Sequence, residues 1–174
     1  MAAPTTTPAD YASAYVMEPM TAAHWLAVTP MALCIAFGAI LMMIRHRTHW
    51  HPPVALAGLA LLVLNNVYLL SKVMADGPLT MMMGRWLPPF GIAITVDLTG
   101  ALMALAAAIV AFCGALYAHV EINTSGRRYG FYPLLMLLMA GVCGAFLTGD
   151  IFNLYVWFEV LLISSFGLLV LGST

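Results

Sequence analysis

Charge is what this sequence has least of. Its 174 residues include six Lys and Arg and seven Asp and Glu, 7% of the chain, against 63% hydrophobic residues. Soluble domains run at about 25% charged and about 45–50% apolar, so a water-soluble fold would lack the polar residues to cover its surface. A formal net charge of −1 leaves no basic surface and excludes a nucleic-acid partner. Cysteine is scarce too: Cys34, Cys113 and Cys143 stand singly in apolar runs, with no CxxC and no even framework. They read as buried free thiols with no disulfide or metal role. The chain lacks HExxH, GxSxG, any paired nucleophile and base, and any cofactor motif, so an enzyme is not expected. It also lacks a basic n-region ahead of a short apolar core, so a cleaved leader is not expected.

What is present is long apolar runs. Mean hydropathy is +0.98, and runs of about 18 or more apolar residues mark transmembrane helices. The sequence divides into five spans, about Trp25–Ile44, Val54–Met74, Leu98–Ala118, Phe131–Thr148 and Ile151–Leu171. Each is near the ~20 residues that cross ~30 Å of hydrocarbon. The expected fold is an all-α membrane protein of five transmembrane helices. Residues 1–24 are an N-terminal segment rich in Pro, Thr and Ala. Residues 25–118 hold three spans with a hairpin at about 79–97, and residues 119–174 hold a loop and the last two spans.

Arg45 and Arg47 in the first loop, and Arg127 and Arg128 in the third, fall on one side if the spans alternate. That side is then cytoplasmic, and the N-terminus lies outside. Lys72 and Arg85 fall on the outer side against this trend; Lys72 can snorkel from the end of its span. Two short runs, Thr80–Met83 and Gly91–Val96, flank Pro88-Pro89 and predict a small hairpin on the outer surface between spans two and three. Asp97 fits an N-cap for the third span. Gly100, Ala104, Ala108, Ala111, Ala115 and Ala118 line one face of that span, and Gly141 and Gly144 do the same in the fourth. Such faces let helices approach closely.

The polar residues within the spans carry the chemistry. Glu159 lies eight residues after Ile151, about 12 Å into the fifth span and near the midplane. An acid there costs about 2.5–3.5 kcal/mol on insertion scales, and intramembrane acids mark ion paths by default. No Lys or Arg of this chain lies at matching depth, so its cation must come from elsewhere. The alternative is a neutral carboxyl hydrogen-bonded to a neighbouring helix. Asn65 and Asn66, mid-way along the second span, are read as interhelical hydrogen-bonding residues or as polar stops on an ion path. Asp150 is read as the cap of the fifth helix, with gating of outer access as the other reading; Asn153, one turn on, could bind water. His46, His49 and His51 form H-x-x-H-x-H between the first two spans. With no Cys or acid beside them, a titrating loop is expected and no metal site. His119 ends the third span as an interfacial residue or a point of proton uptake.

The run "RYGFYPLLMLLMAGVCGAFLTGDIFNLYVWFEVLLISSFGLLVLG", from Arg128 to Gly172, closely resembles the D subunits of the Mrp-type multisubunit cation/proton antiporters. "GRWLPPFGIAITVDLTGALMAL", from Gly84, resembles the hairpin and next helix of those same subunits. The wider family includes antiporter-like subunits of respiratory complex I and of membrane-bound hydrogenases. The resemblance covers residues 84–172 and implies that Glu159, in Trp157-Phe158-Glu159-Val160, pairs with a lysine on a later interrupted helix. Moving that pair together or apart changes how tightly the lysine holds its proton and drives protons along a polar axis. Family subunits have about fourteen helices in two inverted repeats. The resemblance therefore implies that this chain is an N-terminal part, with the lysine outside it.

The function expected is part of a proton-translocating antiporter subunit in the bacterial cytoplasmic membrane. It would work with other membrane subunits, exchange H+ for Na+ or K+, and use no cofactor. The alternatives are a proton-pumping subunit of a complex I-like or hydrogenase-like assembly, and a non-transporting assembly subunit.

Overall fold

The computed structural model describes residues 22–86, 91–122 and 124–171. The elements are α1 (Ala22–Leu26), α2 (Thr29–Met43), α3 (His51–Asp76), β1 (Leu79–Met82), β2 (Ala93–Val96), α4 (Leu98–Glu121), α5 (Thr124–Arg128), α6 (Phe131–Phe146) and α7 (Ile151–Leu171). The chain is an all-α membrane protein with one small hairpin. The helices ending at Asp76, Glu121 and Leu171 are each long and apolar enough to cross a membrane, and α2 and α6 are shorter apolar helices.

The first span departs from the expected single helix. Pro30 has no N–H to give, and in a continuous helix its ring would meet the carbonyl four residues back, that of Leu26. The helix stops at Leu26 and restarts at Thr29, with Pro30 in the first turn, where its missing donor costs nothing. The carbonyl of Leu26, released by the break, accepts from the Thr29 hydroxyl at 2.7 Å. The continuous part, α2, is 15 residues long, about 22 Å.

A second correction concerns His51. It begins α3 because Pro52 and Pro53 suit a first helical turn. The loop is therefore shorter than read, and His51 is fully buried while His46 and His49 are exposed. Its Nε2–H donates to the Ile44 carbonyl at 3.2 Å. A third concerns Cys113, which is exposed. It lies two residues, about 200°, around α4 from the buried Ala111. Cys34 and Cys143 are buried free thiols.

Helices α2, α3, α4 and α6 pack on one another, and α7 packs on α6. The small-residue face of α4 is the face that does this: Gly100, Ala104, Ala108, Ala111, Ala115 and Ala118 are all buried. Asp97 starts α4 by accepting from the Gly100 N–H at 2.7 Å, the bond that makes an N-cap. Strands β1 and β2 pair antiparallel, Leu79 opposite Val96 and Met82 opposite Ala93. The Pro-Pro turn of this hairpin and the segment before residue 22 lie outside the described residues.

Candidate functional site

Helix α7 begins at the hairpin end of the bundle. Asp150 caps it, its carboxylate accepting from the N–H groups of Phe152 at 3.3 Å and Asn153 at 3.1 Å. The Asn153 amide turns back and donates to the Thr148 hydroxyl at 2.9 Å. Both carboxylate oxygens of Asp150 are thus engaged at the helix start, where the helix dipole also favours negative charge.

Further along, α7 leans on α6 through close contacts. Gly144 is small because the indole of Trp157 lies over it, and Gly141 because the backbone of Leu161 does. Asn153 and Ser164 are the buried residues of α7. At about 100° per residue, Asn153, Trp157, Leu161 and Ser164 fall within a sector about 80° wide, which is the face turned to α6.

Glu159 lies about 200° around the helix from Trp157. It therefore sits on the face turned away from α6. Phe152, Tyr155, Ile163 and Phe166 share that face and are all strongly exposed. Glu159 itself is partly buried, and Tyr155 stands one turn earlier, at the i−4 position beside it. Among the described residues the ion pair present joins Lys72 Nζ to Asp76 at 3.3 Å, on the exposed hairpin end of α3. No ion pair reaches Glu159 within them. The arrangement is an apolar stripe interrupted by one acid and one phenol, on a helix face that the described residues leave uncovered.

The other sequence-derived residues lie elsewhere. Asn66 is fully buried and its amide donates to the Ala104 carbonyl on α4 at 3.1 Å. Asn65 meets the Thr29 hydroxyl on α2 at 2.9 Å. That hydroxyl has one proton and already faces the Leu26 carbonyl. The consistent assignment has the Asn65 amide turned to donate to Thr29 while Thr29 donates to Leu26. His119 is exposed at the far end of α4, and its carbonyl accepts from Arg127 at 2.7 Å. The candidates thus occupy three places: the start of α7, the α2–α3–α4 interior, and the open face of α7. Three participants went unread in the sequence. Tyr155 could have been found from its i−4 spacing to Glu159, and Thr29 from the proline beside it. Thr148 gave no local signal.

No protein-family model matches the sequence. Over 151 residues, 86% of this chain and 30% of the relative, it is 37% identical to the D subunit of a Na+/H+ antiporter of Alkalihalophilus pseudofirmus. Over 106 residues, 61% of this chain and 22% of the relative, it is 42% identical to the D subunit of a Na+/H+ antiporter of Bacillus subtilis. The D subunit of a probable K+/H+ antiporter of Rhizobium meliloti is 34% identical over 154 residues, 85% of this chain and 28% of that one. Among solved structures, a chain of the Mrp complex of a Dietzia species superposes with a TM-score of 0.76 at 29% identity, over 85% of this chain and 27% of that one. A chain of an archaeal respiratory complex, the membrane-bound sulfane sulfur reductase, superposes with a TM-score of 0.66 at 27% identity, over 82% and 28%. The chain spans about 30% of the length of the first of these curated relatives.

Proposed function

We propose that this chain, a relative of the D subunits of Mrp-type cation/proton antiporters, takes part in proton translocation across the bacterial cytoplasmic membrane, with Glu159 as the group that holds the proton. One observation supports this above the others. Glu159 lies mid-way along a membrane-length helix, on the face that the described residues leave uncovered, and no ion pair among them reaches it. A carboxylate in low dielectric is costly unless paired. A partner that approaches and withdraws would therefore change how firmly the site holds a proton. Tyr155, a donor and acceptor one turn away, can hold the carboxylate and can itself pass a proton.

The rest of the machinery lies outside this chain in this reading. A lysine on another helix supplies the charge, and neighbouring subunits of a hetero-oligomeric complex close the path. H+ is exchanged for Na+ or K+. The loops bearing Arg45, Arg47, Arg127 and Arg128 face the cytoplasm, and the hairpin faces outward. Residues 119–174 then form the start of the translocating unit, with the earlier helices and hairpin as its support.

A second reading has one observation in its favour. The likeness to a chain of an archaeal respiratory complex fits a subunit in which a redox reaction drives the same proton step. Subunits co-purifying with the chain separate the two: quinone- or metal-centre subunits support the redox assembly, and small antiporter subunits support the antiporter.

The experiment is Glu159→Gln in the complete assembly, reading cation-dependent proton flux in everted vesicles beside assembly on native gels. Flux lost by tenfold or more with assembly intact supports the proton role. Loss of assembly supports a scaffolding role. Unchanged flux removes Glu159 from the path.

A further inference from the structure

The short link between α6 and α7 is part of the hairpin sheet. The Thr95 N–H donates to the Leu147 carbonyl at 2.9 Å, and the Gly149 N–H donates to the Ala93 carbonyl at 2.9 Å. Thr148, between them, forms an antiparallel bridge with Ile94. The link thus adds a third extended segment to β2. Gly149 is what permits the approach, because a Cβ there would overlap the hydroxyl of Thr95.

This fixed segment is tied to the first turn of α7 by a side-chain bond. The Thr148 hydroxyl accepts from the Asn153 amide at 2.9 Å, and Asn153 is only 8% exposed. The bond is directional, as hydrogen bonds are, and it acts beside the steric seating of Trp157 on Gly144 and of Leu161 on Gly141. Asn153 precedes Glu159 by six residues, about 9 Å along the axis and about 240° around it. Over that length the helix is continuous, so a rotation at Asn153 arrives as a rotation at Glu159.

We infer that the hairpin sets the rotational position of α7, and that Thr148, Gly149 and Asn153 are positioning residues for Glu159. The inference rests on the proton-holding role proposed above for Glu159. The segment and the Asn153 bond, together with the seating of α7 on the glycines of α6, fix which face of α7 meets α6, and so where the carboxyl points. Small errors in that direction weigh heavily, since misplacement of a reacting group by about 1 Å can cost about 100-fold.

The test compares Thr148→Val, Thr148→Ser and Asn153→Ala in the complete assembly. Val keeps the shape and removes the hydroxyl, Ser keeps the hydroxyl, and Ala breaks the same bond from the other side. The readouts are proton flux, its dependence on pH, and assembly. Expected are assembled complexes in which Thr148→Val and Asn153→Ala lower flux by about tenfold and shift its pH profile, while Thr148→Ser stays near the parent on both. If Thr148→Val does not assemble, Asn153→Ala decides, because it leaves the extended segment untouched. Parental flux and pH profile in the assembled variants, beside a dead Glu159→Gln, would overturn the positioning role and leave Glu159 standing. A silent Glu159→Gln would instead remove the premise.

Discussion

Glu159 and Asn66 are both polar groups within membrane-length helices, and their surroundings separate them. Asn66 is fully buried and reaches a carbonyl on the neighbouring α4. Ala104 lies inside α4, where its carbonyl already has an N–H partner four residues on. The Asn66 bond is therefore a supplement, and such interhelical bonds average about 0.6 kcal/mol. Asn66→Leu should change stability by less than about 1 kcal/mol, read by unfolding in mixed micelles, and should leave proton flux within twofold of the parent. A larger loss of flux would move Asn66 from the packing into the path. Glu159 differs because it lies on the face turned away from α6, with Tyr155 one turn before it. Tyr155→Phe, which removes the hydroxyl and keeps the ring, should lower flux and shift its pH dependence with assembly intact. Unaltered flux and pH dependence would reduce Tyr155 to a lipid-facing aromatic.

At the scale of elements, the contact between α6 and α7 is the one that presents Glu159. It depends on two absent side chains, at Gly141 and Gly144. Gly144→Val would force the indole of Trp157 aside, and overpacking of this kind costs about 1–3 kcal/mol. Adding Trp157→Ala should recover part of that loss, a coupling that thermal unfolding of the double variant would show. Simple additivity would mean that the two residues do not meet. The caps offer a parallel case. Asp97→Ala should destabilise by about 1 kcal/mol, since it removes the bond to the Gly100 N–H that starts α4. Much at this scale was legible in the sequence: α7 runs from Ile151 to Leu171 as its hydropathy predicts, the small face of α4 is the buried face, and the hairpin lies between α3 and α4. The break before Pro30 was missed because Ala27 and Val28 keep the run apolar, and hydropathy does not register a carbonyl clash. The third segment of the hairpin was missed for another reason. It joins Ala93–Thr95 to Leu147–Gly149 across more than fifty residues, and no local pattern encodes that pairing.

At the scale of the whole molecule, four helices enclose a core, and α7 stands at its edge with one face that the described residues leave bare. The sequence identified Glu159 as the acid to explain but could not say which way it points, because the direction follows from how α7 seats on α6. The arginine-bearing loops predict orientation: reporter enzymes fused after Thr48 and after Thr124 should be active only as cytoplasmic reporters, and one fused in the hairpin only as an exported reporter. The opposite pattern would invert the path without moving the acid. The central claim is that this acid gains and loses a proton during turnover. Infrared difference spectroscopy of the reconstituted complete assembly reads that directly. A protonated-carboxyl band should rise and fall as a pH gradient is imposed and reversed, and Glu159→Gln should abolish it. A band unchanged by that substitution, or a Glu159 carboxyl that never changes protonation while cations are being exchanged, would contradict the account.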